Sequence, residues 1–120
     1  QERVLIQKPF SFLSGDDLTS VAYNVGGGQG CISVTANIAP AQVSQLHQLC
    51  LTGDFLAAQA LQDNLFQLHS ILFCEPSPAG VKYAMSLLGL CSAECRLPVM
   101  PLSQNSKDKI KAAMMALDLM

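Results

Sequence analysis

Apolar positions along the chain follow two rhythms. Short contiguous apolar or β-branched runs alternate with segments in which apolar residues recur every three to four positions. Residues 10–13 (FSFL) predict a short buried strand. Residues 14–17 (SGDD) then turn and end in carboxylates that can accept hydrogen bonds from the free N–H groups of a helix start. Leu18, Val21, Ala22 and Val25 form one helical face. Gly26, Gly27 and Gly28 stop that helix. Residues 31–35 (CISVT) are rich in β-branched side chains and predict a second buried strand. Pro40 suits the first turn of a helix whose face is Val43, Leu46 and Cys50, ending near Gly53.

Asp54 can cap the next helix, with Leu61, Leu65, Leu68 and Leu72 as its apolar stripe. Gln59, Gln62, Asp63 and Gln67 form its predicted wet side. The EPSP segment at 75–78 breaks it. Val81, Ala84, Met85 and Leu88 mark a further helix, stopped by Gly89. Residues 96–103 (RLPVMPLS) read as an extended connector. Ile110, Ala113, Met114 and Leu117 mark a last helix with Lys107, Lys109 and Lys111 outside. Residues 1–9 are too short for a helix with its own core.

Strand, helix and strand in succession imply a parallel pair with a right-handed crossover, an α/β arrangement. Two parallel strands leave both edges open, so the pattern reads as the last two units of a larger sheet followed by helices.

Composition narrows the function classes. Half of the 120 residues are hydrophobic and 13% are charged, which indicates a packed core rather than disorder. The net charge is −2, and the cations are scattered, so there is no basic field for nucleic acid or an anionic membrane. No apolar run is long enough to span a bilayer, and no signal peptide is visible. The absence of an initial Met predicts that the chain begins inside a longer product. Five cysteines (Cys31, Cys50, Cys74, Cys91, Cys95) in irregular apolar settings read as reduced thiols of a cytoplasmic protein, mostly packed as small hydrophobes.

The glycine run follows a helix and precedes a strand, the reverse of a dinucleotide-binding loop, and no Gly-Lys-Ser/Thr is present; it reads as a tight turn. The strand ends are better candidates. SGDD and SVTAN put small polar groups where parallel strands pass into their loops, the edge that holds ligands in open sheets and barrels. Gly15 leaves its backbone approachable there, and Ile32 to Thr35 offer carbonyls and hydroxyls. Ordinary capping by Asp16 or Asp17 and a turn at Asn37 is the competing reading. His47 and His69 have polar neighbours and read as solvated helix positions. Cys91 and Cys95 with a histidine make only a weak zinc pattern. Cys74-Glu75 with His69 lacks a group to orient a nucleophile. Lys82 reads as a surface or packing lysine, since an amine nucleophile needs a desolvated pocket.

LSGDD at 13–17, fourteen residues, then ISVTAN at 32–37 closely resembles the C-terminal part of the dihydrodipicolinate synthase family. GDF at 53–55, LHS at 68–70, the EP and VK pairs at 75–76 and 81–82, and RLPVMPLS at 96–103 extend the resemblance in order. It covers essentially all of residues 10–120. Related pyruvate aldolases such as sialic acid lyases share the barrel but usually not both strand-end motifs. They remain the alternative, together with a non-catalytic helical interaction module.

The resemblance implies strands 7 and 8 of a TIM (β/α)8 barrel plus a C-terminal helical extension. Residues 1–40 would hold the last two barrel units, and residues 41–120 the closing helix and helical region. It implies a lyase that condenses pyruvate with aspartate semialdehyde through a lysine Schiff base, in the diaminopimelate route to lysine. It also implies a cytoplasmic homotetramer with neither metal nor cofactor. The catalytic lysine would lie upstream, in the N-terminal part of the same enzyme, so the chain alone is expected to be inactive; Lys8 is not that residue. By the same resemblance, the Ile32 backbone would contact bound pyruvate, and Gly15 and Asp16 would line the substrate cavity. The chain departs from the family at Ser77, where Asn is usual, and at Gly80, where Pro is frequent; both are expected in a loop near the barrel mouth.

Overall fold

Glycine and proline punctuate the helices where the sequence predicts. In the computed structural model, which describes residues 2–120 and side chains from Val4 onward, the order is α1 (Glu2–Leu5), α2 (Ser20–Val25), a 3-10 turn (Thr35–Asn37), α3 (Pro40–Thr52), α4 (Phe55–Ile71), α5 (Ala79–Leu87) and α6 (Gln104–Met115). Pro40 occupies the first turn of α3, and Gly53 ends it at φ 84°, a left-handed conformation that costs glycine little. Asp54 then caps α4 by accepting the Ala57 N–H at 3.1 Å. α3 and α4 thus form a tight helical hairpin.

The core runs along that hairpin. Leu46, Leu65, Leu68 and Leu72 are at most 1% exposed, and Val43 and Cys50 complete the α3 face. Ile110 and Met114 of α6, which packs on α4, and Ala84 of α5, which packs on α6, complete the core. Burying leucines of this kind contributes about 2 kcal/mol each, which is why helix faces dominate the fold.

The two expected strands are not formed among the described residues. One isolated parallel bridge, Ser14 to Cys31, takes their place. The Ser14 N–H donates to Gly30 O at 2.9 Å, the Ile32 N–H donates to Ser14 O at 2.8 Å, and the Gln29 N–H donates to Phe12 O at 2.8 Å. The parallel direction is as expected, but the burial is not: Phe10 is 62%, Leu13 44% and Ile32 70% exposed. Each segment has only the other to pair with, so neither gains the two covered faces a parallel strand needs. On the expected face of α2, Val21 alone is buried, while Leu18, Ala22 and Val25 face outward. The radius of gyration, 15.6 Å, exceeds the roughly 14 Å of a compact domain of this length.

The first residues form a single helical turn, α1, whose Val4 and Leu5 are exposed, so it has no core of its own, as expected. Two further expectations are corrected. Gly80 lies in the first turn of α5, not in a loop, and is buried. A Cβ there would collide with the Leu72 carbonyl oxygen, so a proline in its place would require the end of α4 to shift. Of the five free cysteines, Cys50 is buried, Cys31 and Cys95 are half-buried, and Cys74 and Cys91 are exposed.

Candidate functional site

The bridge at Ser14 and Cys31 fixes where the two loops emerge. Gly15 and Asp16 follow one partner and Ile32 follows the other, so all three sit together at the same end of the paired segments. Ser14 is buried, and its hydroxyl donates to Asp16 O at 3.0 Å while accepting the Asp16 N–H at 3.1 Å. Asp16 spends its carboxylate on its own turn, accepting the Leu18 N–H at 3.3 Å and the Thr19 hydroxyl at 2.7 Å. Gly15 is exposed, and a Cβ there would meet nothing within 4 Å. The Ile32 N–H is used by the bridge; its carbonyl accepts no hydrogen bond among the described residues. Two approachable backbone segments and an exposed apolar side chain therefore share one edge.

Asp17 does something its position in the sequence does not announce. It is buried, and its Oδ2 accepts the backbone N–H groups of Val34 at 2.9 Å and Thr35 at 3.1 Å. It therefore caps the 3-10 turn after the second segment, not the helix after the first. α2 starts only at Ser20, with no side-chain cap. The free N–H groups of the 3-10 turn supply the donors that a buried carboxylate requires.

α4 grips both loops from below. Gln62, expected on the wet side, is 4% exposed, and its amide donates to the carbonyls of Asp17 at 2.9 Å and Leu18 at 3.1 Å. His69, expected in solvent, is 2% exposed, with Nδ1 2.7 Å from the Thr35 hydroxyl. His47 is also half-buried, and its Nδ1 accepts the Asn24 amide at 3.0 Å. Asn24 accepts the Gly30 N–H at 3.1 Å in turn. The signal for these residues was present: Gln62 and His69 are seven positions apart and flank the leucine stripe, so both ride on the core-facing side.

Burial pushes both histidines below the ordinary value of 6.5. Asp17 opposes the shift at each; Asp16 also opposes it at His69, where His47 adds to it. Both rings are therefore held towards the neutral form. Burial, reinforced by the Asp17 carboxylate, pushes the Cys31 thiol up to about 11. A thiol so raised is protonated at neutral pH and is no nucleophile.

The remaining candidates are dispersed. Lys8 is exposed. Lys82 donates to the Glu94 carbonyl, a packing role. Glu75 accepts the Ser103 N–H at 3.0 Å and the Ser103 hydroxyl at 2.8 Å, while His69 is engaged with Thr35, so the two form no pair. Cys91 and Cys95 direct their thiols to the Lys82 and Ala93 carbonyls. Among the described residues, no three His, Cys, Asp or Glu side chains cluster as metal ligands. No helix among them is long and apolar enough to cross a membrane.

Comparison with known proteins bears on what this edge belongs to. The model of the Dihydrodipicolinate synthetase family matches residues 1–117. The 4-hydroxy-tetrahydrodipicolinate synthase of Gluconacetobacter diazotrophicus is 47% identical over 112 residues, 93% of this chain and 38% of that protein. That of Parvibaculum lavamentivorans is 49% identical over 111 residues, 92% of this chain and 38% of that protein. The chain thus spans well under half the length of these curated relatives. The crystal structure of dihydrodipicolinate synthase from Aquifex aeolicus superposes with a TM-score of 0.91 at 35% identity, over 95% of this chain and 39% of that one. The enzyme from Acinetobacter baumannii, solved in complex with pyruvate, superposes with a TM-score of 0.88 at 35% identity, over 92% of this chain and 38% of that one.

Proposed function

The chain belongs to the dihydrodipicolinate synthetase family, and from that premise we propose that it forms the closing part of a lyase that condenses pyruvate with aspartate semialdehyde. Residues 1–40 would supply the seventh and eighth βα units of a (β/α)8 barrel, and residues 41–120 the closing helix and helical extension. The catalytic lysine belongs to the N-terminal part of the same enzyme, which is the first partner of this chain. The full enzyme is a cytoplasmic homotetramer serving the diaminopimelate route to lysine.

The observation that carries this reading is the open edge at Gly15 and Ile32. A bridge fixes its position, its backbone is approachable, and apolar residues that a barrel would cover surround it. In a whole barrel this edge faces the ring of loops where substrates bind. A protonated imine withdraws electrons from the pyruvate methyl, which loses a proton and attacks the aldehyde as an enamine. Gly15, Asp16 and the Ile32 carbonyl contribute fixed dipoles and walls to that cavity rather than the nucleophile. The relative from Acinetobacter baumannii is a pyruvate-binding member of the family, which favours this substrate.

Borohydride trapping tests the reading. The full-length enzyme incubated with pyruvate and borohydride should gain one reduced adduct on a lysine upstream of residue 1. An adduct on Lys8 or Lys82 would overturn the assignment, as would a full-length enzyme that forms no adduct.

A further inference from the structure

Three side chains tie the two site loops together, and none of them reaches the open edge itself. Asp17 leaves the first loop and accepts two N–H groups of the second. Gln62 holds the first loop by the carbonyls of Asp17 and Leu18. His69 holds the second loop by the Thr35 hydroxyl. Gln62 and His69 lie on one helix, α4, whose Leu65 and Leu68 are fully buried in the core. The loops are thus cross-linked to each other and anchored to the same rigid element.

The Ile32 carbonyl lies between two fixed points, the Ser14–Cys31 bridge before it and the pinned Val34–Thr35 peptides after it. With both ends held, the intervening peptides have little freedom to rotate. We propose that Asp17, Gln62 and His69, with Thr35, are positioning residues that set the Ile32 carbonyl against Gly15 and so set the affinity for the α-keto acid. The proposal rests on the reading of Ile32 and Gly15 as substrate-cavity residues. A carbonyl can attract bound pyruvate only through the N–H of the protonated imine, since the acid's own oxygens are acceptors, and it does so effectively only when its direction is set before substrate arrives. His69 suits the task because burial keeps the ring neutral, so Nδ1 stays available to the Thr35 hydroxyl. Asp17 suits it because a carboxylate accepts two amide hydrogens at once.

The test uses full-length enzyme, read by the KM for pyruvate, kcat and the melting temperature. Thr35→Val removes the hydroxyl at constant shape, and His69→Gln removes the ring; Thr35→Ser keeps the hydroxyl and serves as rescue. Thr35→Val and His69→Gln should raise the KM for pyruvate about tenfold, the equivalent of one lost hydrogen bond, and Thr35→Ser should restore it to within about twofold. KM does not depend on how much enzyme is folded, so a purely structural role would lower the melting temperature and leave KM unchanged. That pattern, in an enzyme whose wild type still forms the borohydride-trapped adduct, overturns the positioning role alone. A wild type that forms no adduct overturns the functional reading and the positioning role with it.

Discussion

The Asp17 carboxylate accepts the Thr35 amide hydrogen at 3.1 Å across a gap of eighteen residues, and the Val34 amide at 2.9 Å beside it. Replacing Asp17 by Ala leaves two N–H groups, one buried and one part-buried, without an acceptor. Such a change costs about 3 kcal/mol, whereas Asn retains one acceptor oxygen and costs about 1 kcal/mol. Asp16 spends its carboxylate on an exposed turn, so Asp16→Ala should cost under about 1 kcal/mol. Urea unfolding of the full-length protein checks the order. Equal losses at Asp16 and Asp17 would sink the account of the cross-link.

The His69 ring predicts a direction of acid sensitivity. Burial holds it below 6.5 in the fold, against the pull of Asp17 and Asp16 and with the push of His47. Below pH 6.5 the unfolded chain takes up a proton that the folded chain refuses, so stability falls as pH falls from 6.5 towards the folded value and then levels. Burial shifts His47 the same way. Thermal unfolding between pH 7.5 and 5 should show a falling melting temperature, and His69→Gln should flatten the slope. An unchanged slope in that variant would show that other groups cause it.

The starts, stops and main apolar stripe of the longer helices are legible in the sequence. Pro40, Gly53 and Asp54 act as the sequence predicts because caps and starts are local chemistry. The leucine stripe from Leu61 to Leu72 is legible because a 3.6-residue period is a local property too. Gly15, Asp16 and Ile32 are also brought to one edge, since a parallel bridge follows from two apolar runs and a crossover. Burial of Phe10, Leu13 and Ile32 is not legible in the same way: a strand is buried by its neighbours, and these segments have one neighbour each. The roles of Asp17, Gln62 and His69 escape because their partners are 17 to 45 residues away, even though the spacing of Gln62 and His69 along the leucine stripe carries the sign of their burial. Polar type suggests solvent, but their helix or loop position faces the core, and tertiary donors and acceptors decide the matter.

The thiols should divide by reactivity. Cys74 and Cys91 are exposed and Cys50 is buried. Cys31 is only half-buried, yet burial and the Asp17 carboxylate raise it to about 11, leaving roughly one part in a thousand as thiolate at pH 8. Iodoacetamide at pH 8 followed by peptide mass analysis should modify Cys74 and Cys91 first, with Cys31 and Cys50 slow. Asp17→Asn removes the nearby negative charge and should accelerate Cys31. Labelling of Cys31 as fast as Cys74 would contradict the raised value.

The start of α6 is tied to the end of the α4–α5 turn, and this gives the last prediction. Ser103 caps α6 by accepting the Ser106 N–H at 3.3 Å. It also donates its hydroxyl to Glu75 at 2.8 Å, while its own N–H reaches the same carboxylate oxygen at 3.0 Å. One serine therefore satisfies a helix end and anchors a loop 28 residues upstream. Ser103→Ala removes the hydroxyl's bonds to Glu75, the Ser106 N–H and the Ser106 hydroxyl and should cost about 1 kcal/mol; Ser103→Thr, which keeps the hydroxyl, should lose less. The Glu75 carboxyl is held below its ordinary 4.5 by hydrogen bonds from the hydroxyls of Ser106 and Ser103 and the Ser103 N–H. Its contribution is thus complete above pH 4.5 and fades as pH falls through the lower folded value. Glu75→Gln should lower stability at pH 7 and show a smaller further loss between pH 4.5 and 3 than the parent. A variant that loses as much stability in that window as the parent would mean the carboxylate is not what holds the start of α6.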